Sequence, residues 1–340
     1  FTRSNDIKKY ITDNKMNYLS YDNPFKLIYK LLFVRIVFND GDDYFNLFKL
    51  SDSEDIYKIC LFHGYGPKTT IAALGDKIER EFRISRINKF DYINFTSKFG
   101  AEKIGKNVFN LPTKKLKVLG NPSVDSFYDS ELTNQRLATK PRLNELFPSV
   151  SNTSKLILYT PTWRPYDYNL PLLDINNFSA EEFNDFLTDM DMYLVYTTHG
   201  TKKPKKIIKN LSRIYHIDDE MPLYDTNEMM LEADILMNDY STTSVEFSVL
   251  NRSQIFCIPD FDKYNAIKGF IENYLEILPG ESFDSLDKFK ILIKEIVLDE
   301  QEYVNTFKEQ REKILSKYYC LENYLSKHNY ETVVEQLINH

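Results

Sequence analysis

The chain has 340 residues, of which 42% are hydrophobic and 27% charged, and its net charge is −7 at pH 7. With 24 Phe and 24 Tyr against only ten Gly, this composition excludes a disordered or low-complexity chain and suits a protein with a substantial core. The acidic balance argues against a dedicated nucleic-acid binder, whose binding surface is normally basic, and the length makes two domains the first expectation.

The three cysteines predict a reducing compartment. Cys60, Cys257 and Cys320 lie far apart without paired spacing, so they match neither a zinc motif nor a disulfide framework, and a cytoplasmic location is expected. The chain starts at Phe1 without Met and shows no signal peptide, which predicts that it is a piece of a longer protein.

The most membrane-like run covers residues 25–38. It is interrupted by Lys26, Lys30 and Arg35 and is too short to cross a bilayer. We expect a buried or half-buried helix here, with docking on a membrane surface as the alternative.

The first clear strand pattern ends in a histidine. Residues 59–62 favour a strand that runs into His63, and Gly66 and Pro67 make the following turn tight. His63 is therefore predicted at the carboxyl end of a strand, which is the edge where open α/β sheets bind ligands. A structural hydrogen-bonding role is the alternative for His63. Lys68 follows five residues after His63. It is a candidate for contact with a phosphate, with a simple exposed lysine as the alternative.

Further strands are predicted at residues 92–96 and 117–119. The second leads into residues 120–125, a turn followed by a helix for which Asp125 is a candidate cap. Residues 129–154 are polar, contain two prolines and are predicted to link two domains.

A second alternation of strands and helices begins at residues 155–159, a predicted strand that ends near Thr162 and Arg164. Arg164 is a candidate for bidentate pairing with a phosphate, or for a structural ion pair. Residues 192–197 predict the next strand, and His199 follows it at the corresponding edge.

A cluster of lysines comes directly after this second histidine. The lysines are at positions 202, 203, 205, 206 and 209. Such a cluster is usually a solvated face, but at this place it also has the charge to steer anions towards a site.

The segment 234–247 is the most informative part of the sequence. Its apolar start predicts a buried strand that ends at Asn238 and Asp239, and four hydroxyl residues, 241–244, follow before a helical spacing begins. Such a strand–turn–helix directs free backbone N–H groups and the positive end of the helix dipole at one point, where hydroxyls add further donors. The segment therefore predicts a phosphate site, with a simple helix cap at Ser241 or Thr242 as the alternative.

Strands alternate with helices in both halves, and the pattern is helical from residue 286 onward. This alternation predicts an α/β fold with two doubly wound domains that face one another. We assign residues 1–150 to the first domain and residues 151–340, including the terminal helices, to the second.

Landmarks in both halves resemble the CDP-glycerol glycerophosphotransferase family, which includes the teichoic-acid polymerases and related capsule polymerases. His63 and Lys68 resemble the family's His-Gly-x-x-x-Lys element, and residues 120–125 are similar to its Gly-x-Pro-Arg-x-Asp turn, with Ser123 in place of Arg. In the second half the similar segments are residues 159–164, His199, 225–246, 260–264 and 269–280. Thr242 replaces the second Ser of the family's Asp-Tyr-Ser-Ser element and keeps the hydroxyl.

The resemblance, which covers about residues 58–285, implies a GT-B-like fold in which two Rossmann-like domains face a central cleft. The first domain would lie on the acceptor side and the second would bind the nucleotide donor. The implied reaction moves glycerol phosphate or ribitol phosphate from a CDP-activated donor to a hydroxyl of a growing teichoic-acid-like or capsular polymer and releases CMP. A polyol-phosphate or polysaccharide acceptor and peripheral association with the cytoplasmic face of the inner membrane are expected as well.

Phosphoryl transfer needs positioned groups that neutralise charge and a base near the attacking hydroxyl. We predict that His63 is this general base and that His199 stabilises the diphosphate. The residues predicted to bind the donor or its phosphates are Lys68, Thr162, Arg164, Asp239, Ser241, Thr242, Thr243, Ser244 and Glu246, the last for the ribose hydroxyls. The sequence predicts no metal site and no tightly bound cofactor, with Mg²⁺ carried by the diphosphate as an open alternative.

Two other functions fit the same sequence. The first is a GT-B sugar-nucleotide glycosyltransferase, for example a capsule sialyltransferase, which reacts at an anomeric carbon instead of phosphorus. The second is a non-catalytic domain that binds an anionic polymer through the lysines at 202–209, with a steep salt dependence.

Overall fold

The computed structural model describes residues 34–39, 56–62, 66–68, 77–198, 203–209, 211–217, 221, 225–319 and 326–338. In chain order the strands are β1 (Ile36–Asn39), β2 (Tyr57–Cys60), β3 (Tyr92–Phe95), β4 (Leu116–Val118), β5 (Lys155–Tyr159), β6 (Met192–Thr197), β7 (Ile214–Ile217), β8 (Ile235–Asn238), β9 (Ser253–Cys257) and β10 (Glu281–Phe283). The α-helices are α1 (Lys77–Ile87), α2 (Lys98–Gly100), α3 (Ser130–Thr139), α4 (Pro141–Leu146), α5 (Ala180–Asp189), α6 (Thr226–Glu232), α7 (Thr243–Phe247), α8 (Phe261–Lys268), α9 (Leu286–Leu298), α10 (Glu300–Thr306), α11 (Lys308–Tyr318) and α12 (Ser326–Ile338). Shorter helical turns are Ala101–Lys106, Thr113–Lys115, Pro122–Tyr128, Pro171–Asp174, Ser248–Leu250 and Tyr274–Ile277.

The first sheet has the order β1-β2-β3-β4, and all its pairs are parallel. Asn94, buried at the end of β3, donates from Nδ2 to Leu61 O over 3.0 Å and to Gly120 O over 2.8 Å. These bonds hold the segments that follow β2 and β4 against β3, which lies between them. Phe62, directly after Leu61, has a φ of 55°, a left-handed conformation that costs a bulky residue energy and therefore needs such support.

The second sheet is also parallel and has the order β10-β9-β8-β5-β6-β7. Strands β8 and β9 are buried along their whole length and β5 along all but its first residue, as expected for parallel strands covered on both faces. Because β5 pairs with β6 on one side and β8 on the other, the strand order reverses between β5 and β8. This reversal is the topological switch point at which doubly wound sheets form a ligand crevice.

The described residues confirm the predicted α/β fold with parallel sheets. One buried cluster combines residues of both sheets, including Phe95 and Val195, and a second lies entirely on the other face of the second sheet. The two sheets are therefore joined by a shared core.

The last helix packs against the first sheet, although its place in the sequence predicted that it belongs to the second domain. Val333 and Leu337 of α12 form a small buried cluster with Ile59 and Leu119. The predicted division at residues 150/151 falls between the two sheets and otherwise stays a prediction.

One local prediction is wrong, and a second segment is more ordered than its composition indicates. Of the run 25–38, predicted as a helix, residues 36–38 belong to strand β1, and residues 25–33 lie outside the described residues. The predicted polar link 129–154 contains helices α3 and α4, because Asp129 caps α3 and Pro141 starts α4 at the position where proline needs no amide partner. None of the helices in the described ranges is long and apolar enough to cross a membrane.

Candidate functional site at the switch point of the second sheet

The carboxyl ends of β5 and β8 meet at the switch point. Asp239 follows β8 and is fully buried. Thr162 N donates to both of its carboxylate oxygens, to Oδ1 over 2.9 Å and to Oδ2 over 3.0 Å. Asn238 Nδ2 donates to Ser241 O over 3.1 Å and closes the turn that precedes α7. These bonds fix the turn between β8 and α7 against the end of β5.

Two backbone amides at this turn have no hydrogen-bond partner anywhere in the part of the chain that the structure describes. They belong to Ser241 and Thr242, both only partly buried. The next amides are engaged, since Thr243 N donates to Ser241 Oγ over 3.4 Å and Val245 N donates to Thr242 O over 2.9 Å. Unpaired amides at the start of a helix are the donors that an anionic oxygen requires.

Arg164 lies buried between two carboxylates. Its Nη1 donates to Asp239 Oδ2 over 2.7 Å and to Thr162 O over 2.6 Å, and its Nε and Nη2 donate to the two oxygens of Asp260 over 2.6 and 3.0 Å. Burial by itself lowers the pKa of Arg164, but the two carboxylates outweigh this effect and raise it above its usual value. Of the two alternatives for Arg164, the structure contains the ion pair, and direct contact with a phosphate stays a prediction.

Tyrosines enclose this ion pair. Tyr166 and Tyr240 donate from their hydroxyls to Asp260 over 2.6 and 3.0 Å, and the Tyr240 ring stacks on Tyr264 at 4.0 Å between centroids. The Arg164 guanidinium lies 4.8 Å from the Tyr240 ring centroid. Burial works against the ionised form of Asp260, but Arg164 and the tyrosine hydroxyls lower its pKa below the usual value. The network is a rigid support for the turn, because its charged groups are hydrogen-bonded and paired.

The first domain reaches this network through the loop that follows His63. Pro67 O accepts a hydrogen bond from Ile271 N over 2.8 Å. A Cβ atom at Gly66 would lie 3.1 Å from the Thr242 methyl group, so a glycine lets this loop pack against the start of α7. Lys68 is thereby brought to the site from the opposite domain.

The charge of Lys68 is poorly compensated. Burial lowers the pKa of Lys68 to about 8; the Asp239 carboxylate acts in the opposite direction, and the cations Arg164 and Lys268 add to the lowering. Its ammonium has no ion-pair or hydrogen-bond partner in the described ranges. An anion bound between Lys68 and the free amides would supply the missing counter-charge.

The predicted hydroxyl donors differ in how far they are already used. Thr162 Oγ1 is buried without a hydrogen-bond partner in the described part of the chain, and Thr243 Oγ1 lies 2.9 Å from Thr160 Oγ1. Ser244 Oγ donates to Gln254 Oε1 over 2.8 Å in the interior. Thr162 therefore keeps its hydroxyl free for a ligand, whereas the hydroxyl of Ser244 is committed to the core.

Glu246 lies at the contact between the domains. Tyr319 OH and Asn121 Nδ2 approach its Oε1 at 3.3 and 3.4 Å. Burial raises the pKa of Glu246 to about 7, the Tyr319 hydrogen bond lowers it, and the Asp225 charge raises it further. No feature of the site tests the predicted contact of Glu246 with ribose hydroxyls, which stays a prediction.

The turn at residues 120–125 uses its polar groups to join parts of the molecule. Asp125 accepts hydrogen bonds from Ser326 N, Ser326 Oγ and Lys327 N over 3.0, 2.8 and 3.2 Å and so caps α12, which is far away in sequence. Ser123 O accepts from Asn227 Nδ2 of the second domain over 2.9 Å. The sequence predicted that Asp125 caps the helix that it begins, whereas it caps α12. Nothing in the neighbouring sequence indicates this distant partner.

Both predicted catalytic histidines, His63 and His199, lie outside the described residues, so their roles stay predictions. The described ranges contain no group of three or more His, Cys, Asp or Glu side chains suited to a metal ion, and the prediction that the chain has no metal site also stays untested. Sequence reasoning missed the tyrosine enclosure, since the rings come from separate segments. Its only signal was the family resemblance at residues 260–264.

Comparison with known proteins agrees with this architecture. A solved structure of the wall teichoic acid polymerase TagF matches 86% of this chain and 71% of that chain with a TM-score of 0.62 and 19% identity, which shows the GT-B-like fold. Among curated proteins, the teichoic acid glycerol-phosphate primase of Bacillus subtilis strain 168 is 28% identical over 201 residues, 58% of this chain and 48% of the relative.

A second relative, the teichoic acid poly(ribitol-phosphate) polymerase of Bacillus spizizenii, is 26% identical over 192 residues, 55% of this chain and 29% of the relative. The chain therefore spans about half, or less, of the length of these two relatives. The profile of the family described as CDP-Glycerol:Poly(glycerophosphate) glycerophosphotransferase matches residues 6–335. Because this match covers nearly the whole chain, the protein belongs to the CDP-glycerol:poly(glycerophosphate) glycerophosphotransferase family.

Proposed function

We propose that this chain transfers a polyol phosphate from a CDP-activated donor to a hydroxyl of a growing teichoic-acid-like or capsular polymer and releases CMP. The observation that carries the proposal is the switch-point turn. There the amides of Ser241 and Thr242 have no partner among the described residues, and Lys68 of the other domain lies close enough to Asp239 and Arg164 for its charge to interact with theirs. The names of the relatives, a glycerol-phosphate primase and a ribitol-phosphate polymerase, support either polyol.

In the proposed reaction the acceptor hydroxyl attacks the phosphorus that carries the polyol. A new P–O bond forms to the acceptor, the P–O bond to CMP breaks, and CMP leaves with the bridging oxygen. The proton of the acceptor hydroxyl passes to a base, for which His63 is the candidate. Catalysis of this type depends on position and charge neutralisation more than on covalent help from the protein.

Several described residues are placed where they support binding and neutralisation of the donor's diphosphate. The free amides and the Thr162 hydroxyl are suited to hold the diphosphate, and Lys68 is suited to neutralise the charge that grows on CMP as it leaves. Arg164, held by two carboxylates, keeps the Asp239 turn in shape. His199 and Glu246 are proposed to contact the diphosphate and the ribose. Mg²⁺ on the diphosphate, a cytoplasmic location and contact with the inner membrane belong to the same proposal.

The first test identifies the product. The protein is incubated with CDP-glycerol or CDP-ribitol and a short synthetic acceptor, and mass spectrometry then measures acceptor lengthened by one polyol phosphate together with released CMP. Parallel reactions with and without a chelator test the need for Mg²⁺. Thermal stabilisation by CMP-sialic acid or UDP-sugars but by neither CDP-polyol would contradict the proposal and favour a glycosyltransferase.

The second test addresses the base. A His63→Ala variant should lower turnover by about 10²–10⁴-fold and leave the affinity for the CDP-polyol nearly unchanged, because a general base acts on the chemical step. The measurement compares kcat with donor affinity from calorimetry. Unchanged turnover, or loss of donor binding alone, would show that His63 is not the base.

A further inference from the structure

A basic pocket lies at the carboxyl ends of β6 and β7, beside the switch point. Its volume is about 600 Å³. The polar lining groups are Thr198, His216, Lys203, Lys205, Lys206 and Lys209. Adjacent strands lie about 4.8 Å apart, so the ends of β6 and β7 are roughly 10–14 Å from the end of β8 along the edge of the sheet.

The pocket is on the face of the second sheet that points away from the first domain. Side chains alternate along β6, so that Val195 belongs to the core shared with the first sheet and Tyr196 to the core on the other face. His216 stacks on Tyr196 at 4.6 Å between centroids, and Thr198 Oγ1 lies 3.2 Å from His216 Nε2. The pocket is therefore a place separate from the crevice between the domains.

The backbone that carries the lysines is fixed. Lys205 N donates to Tyr168 O over 2.8 Å, and Leu170 N donates to Lys206 O over 2.9 Å. Tyr196 OH donates to Ile208 O over 2.6 Å, and Ile208 itself is buried. The lysines thus project from an ordered strip of chain, and their clustering is a property of the fold.

Among the described residues, Asp167 is the carboxylate that pairs with this cluster. Lys205 pairs with Asp167 over 2.7 Å, but both side chains are more than half exposed, so the pair contributes little. Lys206 and Lys209 are exposed and have no ion-pair partner within the described ranges. The described lining of the pocket therefore carries four lysines and no carboxylate, in a chain whose net charge is −7.

We propose that this pocket binds phosphate groups of the acceptor polymer that are several units away from the reacting end. The inference rests on the proposed function, because a polyol-phosphate polymer carries one negative charge per unit. Lysine ammonium groups suit such a ligand, since they are mobile point charges that accept repeating phosphates without a fixed bidentate geometry. Thr198 and His216 add hydrogen-bonding groups at the base of the pocket.

The kinetic test uses a double variant, Lys206→Gln with Lys209→Gln, and two acceptors, a single-unit acceptor and a long polymer. The variant should raise the KM for the long polymer about tenfold at low ionic strength, as expected when two exposed charge contacts are lost. Its kcat and its KM for the single-unit acceptor should stay as in the wild type. The control, Lys294→Gln with Lys313→Gln, removes two exposed lysines elsewhere and should change neither KM. Equal KM increases for both acceptors would overturn the proposal.

A binding test separates this proposal from the proposed function, because it needs no turnover. Preformed poly(glycerol phosphate) is titrated into the protein without donor at several salt concentrations. The double variant should lower the slope of log affinity against log salt by about 1.4, because two contacts are lost and each contributes about 0.7 in single-stranded nucleic acids. A Lys206→Arg, Lys209→Arg variant keeps the charge and should bind like the wild type.

Two further ligands identify the source of the phosphate. Inorganic phosphate should compete only weakly with the polymer, because it makes one contact at a time, and vesicles of anionic phospholipid should bind the double variant and the wild type alike. Polymer binding that is unchanged in the double variant, or vesicle binding that is lost in its place, would overturn the proposal. If the wild type releases no CMP, the proposed function is rejected. The polymer titration still tests the pocket, because it needs no turnover.

Discussion

The turns after β4 and β8 have the same local design and different uses. Each follows a parallel strand and leads into a helical segment, with an Asp in the first turn of that segment after β4 and directly behind the strand after β8. In the first, Asp125 caps α12 and the neighbouring Ser123 carbonyl binds the second domain. In the second, Asp239 is buried against Arg164, and the amides of Ser241 and Thr242 have no hydrogen-bond partner among the described residues. The sequence pattern alone therefore does not distinguish a structural contact from an anion site. The distant partners of each Asp carboxylate determine which of the two the turn becomes.

The largest effect should come from breaking the support of the second turn. An Arg164→Leu variant leaves the buried Asp239 and the half-buried Asp260 without their counter-charge, so the free energy of unfolding should fall by about 3–5 kcal/mol. Urea unfolding checks this, with Lys155→Met as control, because the Lys155–Glu300 pair is one-third exposed and contributes less than about 1 kcal/mol. Equal losses in both variants would show that the Arg164 pair is not the main support of the turn.

Breaking the contacts of the turn after β4 should lower the free energy of unfolding less, and it should not change the affinity for the donor. Asp125→Ala removes the cap of α12 and should lower the free energy of unfolding by about 1–2 kcal/mol while leaving CDP-polyol affinity unchanged. Asp125→Asn keeps a capping side chain and should recover most of the loss. Urea unfolding and calorimetric donor titration measure the two quantities, and a weakened donor affinity in the Ala variant would contradict the purely structural role.

Replacing Lys68 should have the opposite effect: it should weaken binding of the CDP-polyol and should not lower the free energy of unfolding. Its folded-state pKa of about 8 lies below the usual 10.5, so its contribution to stability is present above pH 10.5 and is lost as pH falls through about 8. At neutral pH the charged Lys68 therefore destabilises the unliganded fold. Lys68→Met should be at least as stable as the wild type and should bind the CDP-polyol about tenfold more weakly, as expected for one lost charge-assisted contact. Lys68→Arg serves as the control that keeps the charge, and an unweakened Met variant would contradict a role in donor binding.

A further effect is a pH trend at Glu246. Its pKa of about 7 lies above the usual 4.5, so its contribution to stability is present below pH 4.5 and is lost as pH rises through about 7. Glu246→Gln should therefore be more stable than the wild type at about pH 8, and this advantage should disappear near pH 5. Thermal unfolding across this pH range measures the difference, and a constant difference would show that burial does not control this carboxyl group.

Much of the fold could be read from the sequence. The strands 155–159 and 192–197 were predicted with their observed bounds, because buried parallel strands are short apolar runs ended by turn residues. The prediction failed at residues 36–38, where a short apolar run does not distinguish a helix from a strand. The helices within the segment 129–154 were not predicted, because capping by Asp129 makes polar residues helical.

The sequence by itself determined the α/β class, the strand–turn–helix after β8 and the candidate phosphate ligands, because these depend on spacing within a few residues. Only the tertiary structure decided that Arg164 lies between Asp239 and Asp260, that Lys68 arrives with a lowered pKa, and that the lysines after residue 202 line a pocket on the outer face of the sheet. The physical reason is that burial and counter-charge come from segments up to about 200 residues apart, and no local pattern records which of them will meet.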